Sequence, residues 1–254
     1  MKRLVFLAFM FTGFISFSQV AYIAHRGASY LAPENTVASA NLAWELDADA
    51  VEIDIYLTKD NRVMVCHDSS TKRTAGVDLK ISETNSDELR KLDVGRWKEE
   101  RFAGEKIPFI EEILETVPAG KKLVVEIKCG SEVLPALKKA IDESGKLEQI
   151  IFIGFGWETI VDTKKTFPGN ACYWLSSVEE DVLKRLGQLA ESGLDGLNLS
   201  YKIIRPDLAR QVKEVGVDLL TWTVDDPDEA KRLVGLGVKA ITTNRPGWLR
   251  EQMQ

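Results

Sequence analysis

From Val20 onward the chain repeats one pattern: a short apolar, β-branched run, then an amphipathic stretch of helical period. The runs are Val20–Ala24, Ala50–Leu57, Lys122–Ile127, Ile150–Gly154, Ala171–Leu175, Gly196–Leu199, Val217–Thr223 and Lys239–Thr242. The helical stretches are Asn35–Leu46, Ile110–Val117, Glu132–Glu143, Glu158–Thr166, Glu179–Glu191, Pro206–Glu214 and Pro227–Leu236. Apolar strands that alternate with helices build a parallel sheet with both faces covered. Eight strands, each followed by a helix or an insertion, predict a (β/α)₈ TIM barrel of the α/β class. The rival is an open doubly wound sheet, but no Gly-rich phosphate loop follows the first strand, which counts against its dinucleotide-binding form.

The repeat is interrupted once. After the turn Thr58–Asn61, Arg62–Cys66 reads as a short return strand. Residues 68–106 are polar, carry Gly76, Gly95 and Gly104, and offer only a weak helix over Asp87–Leu92. They read as an insertion after the second strand. With no linker or low-complexity tract, residues 19–254 form one domain.

Met1–Ser18 stands outside this scheme. Lys2 and Arg3 precede an apolar run from Leu4 to Phe17, and Ser16 and Ser18 place small residues where a signal peptidase cuts. The run is shorter than the roughly 20 residues of a spanning helix. Residues 1–18 therefore read as a cleaved signal peptide, the alternative being an uncleaved anchor. The expectation is an exported protein, periplasmic or secreted, with no stable membrane anchor after cleavage. The net charge of -6, without a basic run, argues against nucleic acid as a partner. Cys66, Cys129 and Cys172 fit no zinc spacing and read as small buried apolar residues.

In a barrel the site lies at the C-terminal ends of the strands. Glu52 and Asp54 sit two apart on one strand, so both point into the barrel while Ile53 and Ile55 point to the helices. Two converging carboxylates need a cation between them: either a hard divalent metal or an inward Lys or Arg. Glu126 ends the next apolar run and shares a face with Lys128. It is either a third metal ligand or a strand-end ion pair, and three acids on adjacent strands favour the metal. The chain's two histidines, His25 and His67, both follow strands at that same face. Imidazole suits general acid and base chemistry near neutral pH. Arg26 offers a forked donor matched to phosphate oxygens. Trp222, at the end of its strand, reads as core or as an apolar wall; Tyr173, Trp174 and Asn198 are weaker candidates.

Together these residues resemble the glycerophosphodiester phosphodiesterase family. The resemblance runs through Ala24-His25-Arg26-Gly27, Pro33-Glu34-Asn35-Thr36 and Val51-Glu52-Ile53-Asp54. It continues through His67-Asp68, Glu126-Ile127-Lys128 and Trp222-Thr223-Val224 to Thr243-Asn244-Arg245-Pro246. It covers the chain after the leader, in family order. It implies a barrel with a small insertion after the second strand, one divalent metal, Mg²⁺ or Ca²⁺, on Glu52, Asp54 and Glu126, and His25 and His67 as acid and base. It also implies Arg26 and Lys128 on the phosphate, with Glu34 and Asn35 shaping the first motif. The implied products are glycerol 3-phosphate and an alcohol, with water or the substrate's own glycerol hydroxyl as the attacking group. Asn244 stands where the family usually has Asp; the change leaves metal ligation intact, and no essential role is expected of the position. The rival functions are a related phospholipase, which needs membrane access that no exposed aromatic or basic amphipathic segment announces, and a non-catalytic phosphodiester-binding protein.

Overall fold

Hydrogen bonding closes the sheet. The computed structural model describes residues 20–254; the leader assignment for residues 1–18 lies outside the described residues. Nine strands are described: β1 (Ala21–Ala24), β2 (Ala50–Leu57), β3 (Val63–Val65), β4 (Lys122–Ile127), β5 (Ile150–Gly154), β6 (Cys172–Ser176), β7 (Gly196–Ser200), β8 (Asp218–Trp222) and β9 (Ala240–Thr243). All but β3 run parallel, and β1 pairs with both β2 and β9, so eight strands form a barrel rather than an open sheet. β3 lies outside the barrel, antiparallel to β2. Each observed strand end falls within about one residue of the end expected from the apolar runs.

The pleat sorts side chains into two layers. Tyr22, Val51, Ile53, Ile55, Leu123, Val125, Phe152, Leu197 and Ile241 face outward into the main core against the helices. Ala21, Ile23, Ala50, Val124, Ile151, Ile153, Leu175, Leu220 and Ala240 fill the barrel interior. Because successive residues alternate between these layers, the apolar Val51, Ile53 and Ile55 drive Glu52 and Asp54 inward.

The covering helices are α1 (Val37–Glu45), α2 (Ile110–Thr116), α3 (Leu134–Ser144), α4 (Trp157–Thr166), α5 (Glu179–Arg185), α6 (Pro206–Glu214), α7 (Pro227–Gly235) and α8 (Pro246–Gln252). α1 starts at Val37 because Thr36 caps it: the Ser39 amide donates to Thr36 Oγ1 at 3.1 Å. Two helices differ from expectation. The stretch Glu179–Glu191 is not one helix: α5 ends at Arg185, a 3₁₀ turn spans Leu186–Gln188, and a final turn runs Leu189–Ser192. Gly187, a poor helix former, sits in the break. α8 was not foreseen; its apolar signal is slight, but Pro246 fixes its first turn and buried Leu249 anchors it.

Residues between β3 and α2 contain short helical turns at Lys72–Ala75 and Ser86–Leu89. They enclose a small apolar cluster of their own, with Met64, Cys66, Ile81, Leu89, Val94 and Ile107. Cys66, Cys129 and Cys172 are free thiols, and burial pushes the Cys66 and Cys172 thiols up to about 12.

Candidate active site

The first βα turn is built around a backbone that few residues tolerate. Arg26 has φ 55° and Gly27 φ 81°. A side chain at Gly27 would lie 2.3 Å from Ser39 Oγ and 2.6 Å from the Ser39 carbonyl carbon, so glycine lets this turn press onto α1. The left-handed Arg26 is held from several directions. Its N–H donates to Glu52 Oε2 at 2.8 Å, its carbonyl accepts from Asn35 N and Ser39 Oγ, and its Nη1 donates to Glu34 Oε1 at 2.9 Å. That strain is retained where the surroundings over-determine it.

Glu52, Asp54 and Glu126 are buried, with one carboxylate oxygen from each lying within 4.8 Å of the others. Register explains the meeting: Asp54 is directly opposite Glu126 across the β2–β4 pair. The two cation readings both have a place here. Lys128 Nζ donates to Glu126 Oε1 at 2.8 Å and lies 3.5 Å from Asp54 Oδ1, while Arg26 Nε is 3.4 Å from Asp54 Oδ2. Asn35 grips Asp54 twice, donating from Nδ2 to Oδ2 at 2.8 Å and accepting the Asp54 N–H at 3.1 Å. Glu52 Oε1 is buried without a hydrogen-bond partner among the described residues. Burial, then the charges of Asp54 and Glu126, push the Glu52 carboxyl well above its ordinary range. Burial and Asp54 likewise raise Glu126 to about 7, although Lys128 pulls it down. Burial pulls the Lys128 ammonium down, but Asp54 and Glu126 more than offset this and leave it raised. An under-neutralised, all-oxygen donor set with one orphaned carboxylate oxygen fits a hard divalent ion.

His25 and His67 line the same cavity, together with Arg26, Glu52, Glu126, Lys128, Phe155, Asn198 and Trp222. The cavity is about 230 Å³. That is at or below the small end of ligand sites, which suits a body the size of glycerol phosphate and leaves a larger substituent outside. His25 Nδ1 lies 2.8 Å from Asn244 Oδ1. Burial, then the nearby Arg26 charge, lower His25 to about 4, so the ring is neutral. His67 is held differently: its Nδ1 is 2.6 Å from Asp68 Oδ1, and its Nε2 lies 3.3 Å from Lys128 Nζ. Hydrogen bonding from Arg73 chiefly holds Asp68 down at about 2, keeping that partner ionised.

The structure brings His25, His67, Arg26, Glu52, Asp54, Glu126 and Lys128 into one cluster and puts Trp222 on the cavity wall. Trp222 donates from Nε1 to the Asn198 carbonyl at 3.1 Å and meets the half-exposed Phe155 edge-on, at 5.6 Å between ring centroids. Asn198 points inward with both side-chain polar atoms buried and unpartnered among the described residues. Two weaker candidates fall elsewhere. Trp174 has the outward phase of β6 and packs on Trp157 at 5.1 Å, and Tyr173 lies at the opposite end of the barrel, its hydroxyl 3.3 Å from Asp218. Asn244, of which no essential role is expected, touches His25 directly. Exposed aromatics exist too: Tyr30, Trp97 and Trp248 are on the surface, though in separate loops and helices rather than one segment.

Residues that the sequence did not single out complete the site. Phe155 follows β5 at the cavity rim, and its place after a strand was its one available signal. Arg73, inside the polar insertion, gave none.

Comparison with known proteins agrees with this geometry. The profile of the glycerophosphoryl diester phosphodiesterase family matches residues 25–248. A glycerophosphodiester phosphodiesterase of Caldanaerobacter subterraneus is 36% identical over 232 residues, covering 88% of this chain and 93% of that protein. A lysophospholipase D of Rattus norvegicus is 26% identical over 269 residues, covering 91% and 85%. Among solved structures, an Oleispira antarctica phosphodiesterase in complex with the product sn-glycerol-3-phosphate superposes with a TM-score of 0.87 at 28% identity, covering 92% of this chain and 97% of that one. A small cavity lined by two imidazoles, two cationic side chains and two carboxylates thus coincides with a match along nearly the whole barrel, and the chain belongs to the glycerophosphodiester phosphodiesterase family.

Proposed function

We propose that this protein hydrolyses glycerophosphodiesters to glycerol 3-phosphate and an alcohol, with His25 and His67 moving the protons. The observation that carries this reading is the placement of both imidazoles on one small cavity whose charged walls are Arg26, Lys128, Glu52 and Glu126.

His25 is neutral and hydrogen-bonded through Nδ1, which leaves Nε2 with a lone pair. It serves as the base, taking the proton of the attacking hydroxyl as the new P–O bond forms. His67 serves as the acid, giving a proton to the departing alkoxide as the old P–O bond breaks. Asp68, ionised beside His67 Nδ1, holds that ring in place. Arg26 and Lys128 supply donors to the non-bridging oxygens. Trp222 and Phe155 wall off the apolar edge of the glycerol or alcohol group.

Glu52, Asp54 and Glu126 would hold one divalent ion, Mg²⁺ or Ca²⁺, which when bound supplies positive charge to the phosphoryl group. Three carboxylates plus water serve either ion. Export belongs to the same reading and rests on the Met1–Ser18 sequence alone.

The test is release of glycerol 3-phosphate from glycerophosphocholine and glycerophosphoethanolamine, with EDTA and with Mg²⁺ or Ca²⁺ added back. Metal-restored release is expected. No release by folded protein with either ion would overturn the reading. Lysophosphatidylcholine belongs in the same assay, because the lysophospholipase D relative and the exposed Phe155 favour a substrate that extends beyond the cavity.

A further inference from the structure

We infer that Asp225 is a positioning residue for catalysis: acting through Asn244, it fixes which nitrogen of His25 carries the proton. This rests on the reading of His25 as a catalytic base.

The argument is one of hydrogen-bond polarity. Asp225 follows β8, Asn244 follows β9 and His25 follows β1, so three neighbouring strand ends meet here. Asn244 Nδ2 donates to Asp225 Oδ2 at 2.6 Å, and the Asn244 N–H donates to Asp225 Oδ1 at 2.8 Å. Thr243 Oγ1 also donates to Asp225 Oδ1, at 2.7 Å. A carboxylate can only accept, so the amide of Asn244 must turn its NH₂ toward Asp225. That leaves Oδ1 facing the other way, where it meets Ser29 Oγ at 3.0 Å and His25 Nδ1 at 2.8 Å. The Ser29 hydroxyl donates to the same oxygen, which agrees with this orientation. A carbonyl oxygen facing Nδ1 requires a proton there, and the neutral ring then holds its lone pair on Nε2.

An Asn by itself would not give this result. Its two ends are nearly the same shape, and turned over it would offer NH₂ to His25, placing the lone pair on Nδ1 and the proton on Nε2. A ring in that form cannot accept a proton at Nε2. Asp225 breaks the symmetry of the amide. The negative charge thus sits one residue back from the imidazole, with Asn244 passing on its direction but not its charge.

The chain has two histidines, so ¹⁵N-histidine labelling gives two imidazoles to assign, separated by a His67→Gln variant. The expected spectrum of the wild-type protein near pH 7 shows His25 as the Nδ1–H tautomer. Asp225→Asn should invert it: the new amide can present NH₂ to Asn244, turn it over and move the proton to Nε2. Turnover on glycerophosphocholine should then fall by roughly 10²-fold, the scale of a lost base, with KM within a factor of about two. The exchanged pair Asp225→Asn with Asn244→Asp should restore both. The amide then at position 225 can accept from Thr243 and from the backbone N–H of position 244, while its NH₂ donates to the new carboxylate. That carboxylate again receives His25 Nδ1–H. Two results would overturn the inference: an Nε2–H tautomer in the wild-type protein, or an Asp225→Asn protein that keeps the wild-type tautomer and kcat. Should Asp225→Asn fail to fold, the wild-type tautomer still decides. An Nδ1–H His25 in a protein that cleaves no glycerophosphodiester would support the tautomer assignment while sinking the proposed function, so the two failures are distinguishable.

Discussion

Arg73 donates from Nη1 and Nη2 to both carboxylate oxygens of Glu34, each at 2.8 Å. The same guanidinium donates from Nε to Asp68 at 2.7 Å, and Asp68 holds His67. Glu34 in turn receives Arg26. One side chain from the insertion thus braces both the His67 imidazole, through Asp68, and Arg26, through Glu34. Arg73→Lys keeps the charge but not the fork, so it cannot make these three bonds together. kcat/KM should fall between roughly tenfold and a hundredfold, the range a small displacement of catalytic groups produces. Steady-state kinetics beside a thermal melt would check it. A wild-type kcat/KM would show that the insertion does not position the site.

Gly27→Ala should damage folding rather than chemistry alone. A methyl group there meets Ser39 backbone and side chain well inside contact distance, in a left-handed conformation that suits glycine. A loss of at least ~2 kcal/mol is expected from strain and displacement together. Urea denaturation would measure it, and an unchanged midpoint would mean that α1 moves aside freely.

Much of this site could be read from the chain because strand pleat converts sequence parity into direction. Apolar Val51, Ile53 and Ile55 fix the phase of β2, so Glu52 and Asp54 had to point inward, and the next parallel strand had to bring Glu126 alongside. The same parity, applied to β6, would have shown that Trp174 faces the helices. Hydrogen-bond partners between distant loops were not legible. His25 and Asn244 are 219 positions apart, and their contact depends on barrel closure bringing β1 beside β9. Arg73 lay in a polar stretch with no periodicity to orient it. The short α8 escaped notice for a related reason: a seven-residue helix shows too few apolar positions to establish a period.

Glu52→Gln should weaken metal binding without lowering metal-free stability. Glu52 is one of three buried carboxylates, and its Oε1 has no partner among the described residues. Neutralising it removes like-charge repulsion, so the protein in EDTA should melt at the same or a higher temperature. Divalent-ion binding should weaken by more than roughly tenfold, the low end of what losing an outer-shell partner costs. Calorimetric titration and melting in EDTA together test this. Unchanged affinity would remove Glu52 from the ligand set.

His25 should remain neutral well below the pH at which a free imidazole charges. Burial first, and Arg26 second, lower it from an ordinary 6.5 to about 4. The folded value is below the unfolded one, so the unfolded chain takes the proton first. The stability associated with this ring is therefore fully present above about 6.5 and is lost as pH falls through the window toward 4. NMR titration should show one histidine with no transition between pH 8 and roughly 5.5. A midpoint near 6.5 for His25 would mean that its ring is solvated and free of the Arg26 field.

Asn198→Leu should separate binding from stability. Asn198 is buried on β7 facing the cavity, and neither Oδ1 nor Nδ2 has a hydrogen-bond partner among the described residues. A buried amide with unmet bonds costs roughly 1–3 kcal/mol, so a leucine of similar size should leave the melting temperature unchanged or raise it. If those bonds are made instead to a hydroxyl or phosphoryl oxygen of the substrate, the same change removes them and KM should rise by about tenfold, one net hydrogen bond's worth. kcat should move less, because Asn198 donates to neither histidine. A lower melting temperature with unchanged KM would show that its partners belong to the fold and not to the ligand.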